Sequence, residues 1–433
     1  MFNLIYTLIV IVFLQGLLQL FFGPVIVKAL AEPLIIFIFL LSLTKKRAVI
    51  PFTKTFFFFL FSYLVASVMN SDLNFASTTF FRPFLYSYFI FYASYKFNPT
   101  KSEVHKLMKL IKIMVIIQIP ASIVKVALVG GVAEKFIGTI GTTTGSLHLI
   151  FPLFVISYLI GIYLFHYKHR KVIIYVILFI VFGITGAKKG VPFYTIFLLF
   201  VSYYIYNRLI MKRAINLSRI LSISFLSVII FFLGVMLIPG LNKERKVGGS
   251  FDTEYVQNRV YSYSFYNEEK ETYAGRFGGT TIFLSDLLGY TDEWLVVKST
   301  KNTMFGYGPS SFDDDSYLVN NKNINPNFQR IIPTGYIRMQ FAMGLMGVIG
   351  FFLFYGNIMS ILLKTIKRYF HMFTTLGKAL LFGSILFTFV IFIDFLTYTH
   401  MYTYSTIYVV FFLILGQILR YRKNSLFFIE NHE

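Results

Sequence analysis

The chain contains no cysteine. That excludes a disulfide framework, a thiolate nucleophile and a thiolate-ligated metal. Charge is scarce as well. Only 14% of the 433 residues are charged, against about 25% in soluble domains. No Walker A loop, HExxH helix or glycine-rich dinucleotide fingerprint occurs, which argues against an ATP-driven pump or an NAD enzyme. The seven histidines form no metal constellation. His166 and His169 are one helical turn apart, but they lie in a basic cluster that reads as a solvated loop, so no metal site and no cofactor is expected.

What the chain has instead is apolar surface. Hydrophobic residues make up 56% and aromatic residues 19% of it, with a mean hydropathy of +0.69. Bilayer-length runs recur from end to end, at 4–22, 25–43, 55–69, 79–95, 113–129, 147–165, 172–186, 191–206, 220–238, 336–363, 376–398 and 404–419. No soluble core needs that much apolar surface, so lipid is the solvent. The first run has the look of a signal peptide, but it lacks a basic leader. A second run follows at once across Gly23 and Pro24, so it reads as a retained helix. The expected fold class is an all-α polytopic membrane protein of about twelve transmembrane helices.

The formal net charge is +21, and its distribution argues against nucleic acid as the partner. Residues 239–335 hold 12 acidic and 10 basic side chains, a net of −2, which leaves 30 basic and 7 acidic elsewhere. The excess sits in short clusters after alternate runs: Lys45 to Arg47; Lys96 to Lys112; Lys168 to Lys171; Arg208 to Arg219; Lys364 to Arg368; and Arg420 to Lys423. With twelve spans and both termini in the cytoplasm, all six clusters fall on one side, as the positive-inside bias requires. The chain then divides into a membrane part (1–238), one large external loop (239–335) between spans nine and ten, and a second membrane part with a cytoplasmic tail (336–433). The loop carries Trp294, the only tryptophan. Its apolar stretches at 281–288 and 294–297 suit a partly folded cap.

Basic residues on the external side are the informative ones. Lys188 and Lys189 lie in a tight connection between Gly186 and Gly190. Arg82 sits at the external start of span four, Lys125 at the external end of span five, and Arg338 opens span ten. Each is read either as snorkelling or pairing with an intramembrane acid such as Asp394, or as part of a shared anion site at the outer leaflet. Several cations at one depth suit a lipid diphosphate. In the loop, the glycines and Pro309 of FGYGPS (305–310) mark tight turns. Asp313, Asp314 and Asp315 read as a solvated tip, a divalent-cation site or sugar-hydroxyl acceptors.

Four stretches resemble the O-antigen polymerase and ligase superfamily: GITGAKKG at 183–190, AGR at 274–276, FGYGPS at 305–310 and YIRMQFAMGLMG at 336–347. The resemblance implies a GT-C-like membrane fold acting on undecaprenyl-diphosphate-linked glycans at the outer face of the bacterial cytoplasmic membrane. Flippase and chain-length regulator proteins would be its partners. With the charge bias, it makes Arg276, Lys189 and Arg338 the expected catalytic residues and Lys188, Tyr307 and Tyr336 expected substrate-binding residues, to which the charge bias alone adds Arg82 and Lys125. One departure matters. Ligases of the superfamily place a His-Asn pair just before the tyrosine, where this chain has Pro333 and Thr334. That favours a polymerase over a ligase and leaves the base open among Asp286, Glu293 and Asp313 to Asp315. Lysine stands in the 183–190 turn where many relatives carry arginine, which weakens bidentate phosphate contact. A glycan ligase and a lipid-linked-sugar flippase or transporter are the alternatives, since twelve spans also suit a transporter.

Overall fold

The computed structural model describes residues 1–45, 49–129, 138–140, 147–166, 170–185, 190–246, 248–264, 266–267, 273–274, 278, 280–281, 284, 300–311, 334–397 and 405–420. Among the described residues, nine α-helices precede the large loop: α1 (Phe2–Phe13), α2 (Gln15–Leu43), α3 (Thr53–Met69), α4 (Phe75–Lys96), α5 (Lys101–Val129), α6 (Leu147–Phe165), α7 (Arg170–Thr185), α8 (Gly190–Ile205) and α9 (Leu217–Leu237). The loop contributes α10 (Thr253–Ser264), α11 (Thr300–Phe305) and a two-residue ribbon pairing Tyr266–Asn267 with Tyr273–Ala274. Three helices follow: α12 (Gly335–Tyr369), α13 (Thr375–Thr397) and α14 (Ser405–Leu419).

This is an all-α membrane protein. Among the described residues, five segments, Ser102–Lys125, Gly190–Ile210, Leu217–Leu237, Gly335–Met372 and Thr375–Thr397, are long and apolar enough to cross a membrane. The outer surface is correspondingly greasy. On α9, Leu217, Leu221 and Phe225 are each more than 60% exposed, which suits lipid and not water.

Small residues let the central helices approach closely. On α6, Gly161 lies so near the carbonyl of Ala379 on α13 that a Cβ there would sit 2.2 Å from the oxygen. One turn along the same seam, Gly383 lies against Tyr158, whose hydroxyl shares a 3.0 Å hydrogen bond with Ser384. The α4–α14 seam repeats the device. Gly416 packs on Ser94, and Gln417 Nε2 donates to the Ser94 carbonyl at 2.6 Å. Polar side chains at such seams find their partners on the facing helix, because no water is available to them.

Two helix breaks depart from the simple span pattern. The first run, expected as one helix over 4–22, is interrupted at Leu14. Thr139 makes the interruption tolerable. Its carbonyl accepts from the N–H groups of Gly16 (2.8 Å) and Leu17 (3.1 Å), while its hydroxyl donates to the carbonyl of Phe13 at 2.8 Å. Gln118 of α5 accepts in turn from the Thr139 N–H at 2.7 Å. The loop residue thus satisfies both ends of the break, which an apolar environment demands. The second break is in α12 at Gly344, where φ is 65° and ψ is −165°, a region essentially restricted to glycine.

Candidate functional site

The break at Gly344 splits α12 into a short first half and a long second half. Every residue of the first half, from Gly335 to Met343, is buried. Thr334 caps it, its side chain accepting from the Ile337 N–H at 3.3 Å. The amides at this end form the positive pole of the half-helix. Arg338 sits one turn in and is 6% exposed. Tyr336 is also buried, and its ring meets Phe395 of α13 edge-on at 6.2 Å. Phe395 follows Asp394, which is 1% exposed.

Residues 300–311 form a strap across this half-helix. Gln340 Nε2 donates to the Thr303 carbonyl at 3.0 Å. The Tyr307 N–H donates at 2.7 Å to the carbonyl of Phe341, an acceptor that the helix break would otherwise leave without its usual intrahelical donor. The Tyr307 ring stacks on the Phe341 ring, with centroids 4.6 Å apart and planes at 24°. The approach is close enough to require glycine on both sides. A Cβ on Gly306 would lie 2.5 Å from the Phe341 carbonyl oxygen, and one on Gly344 would lie 2.4 Å from the Met304 carbonyl. Gly306 also has φ of 68°. The FGYGPS stretch is therefore the piece of loop that fits into the α12 break.

The far end of the strap is tied to the turn between α3 and α4. Asp72, 7% exposed, accepts from the Ser310 N–H at 2.7 Å, from the Ser310 hydroxyl, and from Asn74 Nδ2 at 2.8 Å. Asn70 Nδ2 reaches the Phe305 carbonyl at 3.4 Å. Gly308, with φ of 104°, sits where a Cβ would lie 2.6 Å from the Asp72 carboxylate. A loop residue some 240 positions away in sequence is thus held by a carboxylate with three donors, a strong anchor.

Of the residues singled out in the sequence, Arg338, Tyr307 and Tyr336 come together at this strap and half-helix. Arg82 has a different commitment. Its guanidinium is 3.2 Å from the Glu32 carboxylate of α2, with both side chains 26% exposed, and Tyr86 donates to the same carboxylate at 3.2 Å. That is the ion-pair alternative, made with Glu32 and not with Asp394. Lys125 lies near the end of α5 and is partly exposed. Lys188, Lys189 and Arg276 lie outside the described residues, as do Asp286, Glu293, Trp294 and Asp313 to Asp315.

Sequence reasoning missed Asp72, Gln340 and Glu32. The first two had a usable signal. Asp72 is one of only seven acids outside the loop and sits in a turn between two apolar runs, and Gln340 is an amide inside an apolar run. No protein-family model matches the chain, and no curated protein matches it.

Proposed function

We propose that this chain is a polymerase of undecaprenyl-diphosphate-linked oligosaccharide repeat units. On this reading it is a GT-C-like protein of twelve spans, working at the outer face of the bacterial cytoplasmic membrane with both termini inside. The observation that carries the reading is Arg338, a buried guanidinium one turn into a capped, broken half-helix whose Gln340 and Phe341 hold the strap that bears FGYGPS. A buried guanidinium beside the N–H groups of a helix start is the donor set that suits a multiply charged anion.

Contacts between distant parts of the chain support the span count. Lys96 Nζ reaches the Lys45 carbonyl, and His166 Nδ1 pairs with the Thr375 hydroxyl at 2.9 Å; all four belong to ends assigned to the cytoplasm. Asp72 meets Ser310, and Tyr194 meets Thr397 at 2.5 Å; all four belong to ends assigned outside. Each of these contacts requires an even number of crossings between its two partners, as the twelve-span arrangement has.

In the proposed reaction a sugar hydroxyl of one lipid-linked unit attacks the anomeric carbon of another. The carbon–oxygen bond to the diphosphate breaks, undecaprenyl diphosphate leaves with the electron pair, and the hydroxyl proton passes to a base. The diphosphate is already a good leaving group, so the protein's share is alignment and charge neutralisation. Arg338 would serve the diphosphate, joined by Arg276, Lys189 and Lys188, with Lys125 and Arg82 behind them. Tyr307 and Tyr336 would line the same approach. Substrate on the lipid carrier, a flippase and a chain-length regulator are the partners this role implies.

One observation favours a second reading. Helices broken at Gly23 and Gly344 are the kind of element on which secondary transporters build substrate sites. Deleting the gene and sizing surface polysaccharide separates the two. Loss of a polymerase leaves single repeat units attached to their final acceptor, and Arg338→Ala fails to restore long chains. Loss of a flippase abolishes even the single units.

A further inference from the structure

A slot opens at the opposite end of the bundle from the strap, between α5, α6, α7, α13 and α14. It is a cavity of about 610 Å³. Its body is apolar, walled by Met108, Val115, Phe154, Phe179, Leu380 and Ile414. Its rim is basic. Lys112, His166 and Lys171 line it, and among the described residues no carboxylate does. His166 is set at the rim by its hydrogen bond with the Thr375 hydroxyl, 2.9 Å away. The rim lies where α6 ends and where α7 and α13 begin.

Along α6, the wall runs from His166 back to Phe154. Twelve residues of helix make roughly 18 Å, close to the depth of one hydrocarbon leaflet, about 15 Å. The slot therefore has the depth of a single acyl chain and the charge pattern of a lipid with an anionic head. A neutral sugar has no use for two lysines and a histidine lining one cavity, and a zwitterionic head has less use for them than an anionic one.

We propose that this slot is a binding site for one anionic phospholipid, with an acyl chain in the apolar body and the phosphate at Lys112, Lys171 and His166. The site is independent of the strap and half-helix and of the reaction proposed there. Two ammonium groups at the rim give selectivity by charge, since each basic residue near a phosphate-rich surface adds attraction that a zwitterion largely cancels. The apolar body gives retention, because the chain exchanges one hydrocarbon surface for another with a better fit.

The test uses the full-length chain purified in a neutral detergent. It is titrated separately with dioleoylphosphatidylglycerol and dioleoylphosphatidylcholine, and bound lipids are counted by native mass spectrometry. The expected result is a single retained phosphatidylglycerol, with phosphatidylcholine held at least about tenfold more weakly. The Lys112→Gln, Lys171→Gln double variant brings the two lipids level, and the Lys112→Arg, Lys171→Arg variant keeps the preference. Equal retention of the two lipids by the wild-type chain overturns the proposal without any variant. A preference for phosphatidylglycerol that survives in the glutamine variant overturns it too, because the selectivity then lies elsewhere.

Discussion

The N–H of Tyr307 donates to the carbonyl of Phe341 at 2.7 Å, and the two rings stack directly alongside that bond. One residue from the large loop thereby fills the gap in a buried helix. The relationship explains why the loop carries glycines at positions 306 and 308 and why α12 carries one at 344. Each has a positive φ, and a Cβ on any of them would run into the facing segment.

Glycine replacement tests this fit. Gly306→Ala and Gly344→Ala should each destabilise by about 1–3 kcal/mol from backbone strain alone, with the steric clash added. Gly356→Ala is the matched control. It lies in the same helix with nothing within 4 Å of the added methyl group, so it should be neutral or stabilise by up to about 1 kcal/mol. Thermal unfolding in detergent measures all three, and equal melting temperatures for Gly344→Ala and Gly356→Ala would refute the account of the break.

Asp72 should hold the strap down. Replacing it with alanine removes the acceptor of three hydrogen bonds, at a cost of about 1–3 kcal/mol for buried donors left unsatisfied. Limited proteolysis reads the consequence. The Asp72→Ala chain should be cut between residues 300 and 311 faster than wild type, and Asp72→Asn, which keeps a carbonyl acceptor, should fall between them. Unchanged cutting in Asp72→Ala would mean that the strap is held by Tyr307 and Gln340 alone.

Arg82 can be assigned by charge exchange. If its work is to pair with Glu32, the double exchange Glu32→Arg, Arg82→Glu should recover polymer that either single change reduces. If Arg82 touches the diphosphate, the exchange leaves it as defective as Arg82→Glu alone. The pair is partly exposed, so its direct contribution to stability should be modest, on the order of 1 kcal/mol or less, and polysaccharide length is the better readout.

Much of this architecture was legible in the sequence, for a physical reason. Lipid removes the option of leaving backbone groups to water, so each apolar run of bilayer length must be helical. The break at Gly23 was visible because Pro24 follows it. The break at Leu14 was not, because the residue that permits it, Thr139, lies 125 positions away and has no local signature. The site divides the same way. Arg338 stood out as a cation against the charge bias, and FGYGPS stood out as turn chemistry. That the two belong to one unit depends on long-range pairing through Gln340, Phe341 and Asp72, which no local pattern encodes.

Topology can be checked without removing any native thiol, since the chain has no cysteine. Cysteine at position 294 should react with a membrane-impermeant maleimide in intact spheroplasts. Cysteine at position 212, between the basic residues at 208 and 219, should react only after lysis. The opposite labelling pattern would move the strap to the cytoplasmic side and take the proposed reaction with it.

Reconstituted polymerisation is the direct test of the central claim. The purified chain in nanodiscs receives lipid-linked repeat units in buffer with EDTA and no nucleotide, and products are sized by gel electrophoresis. The account predicts a ladder of lengthening chains and release of undecaprenyl diphosphate, with Arg338→Ala giving neither while remaining folded. Repeat units that stay single in the presence of folded wild-type protein, or growth that requires a nucleotide or a restored divalent ion, would contradict it.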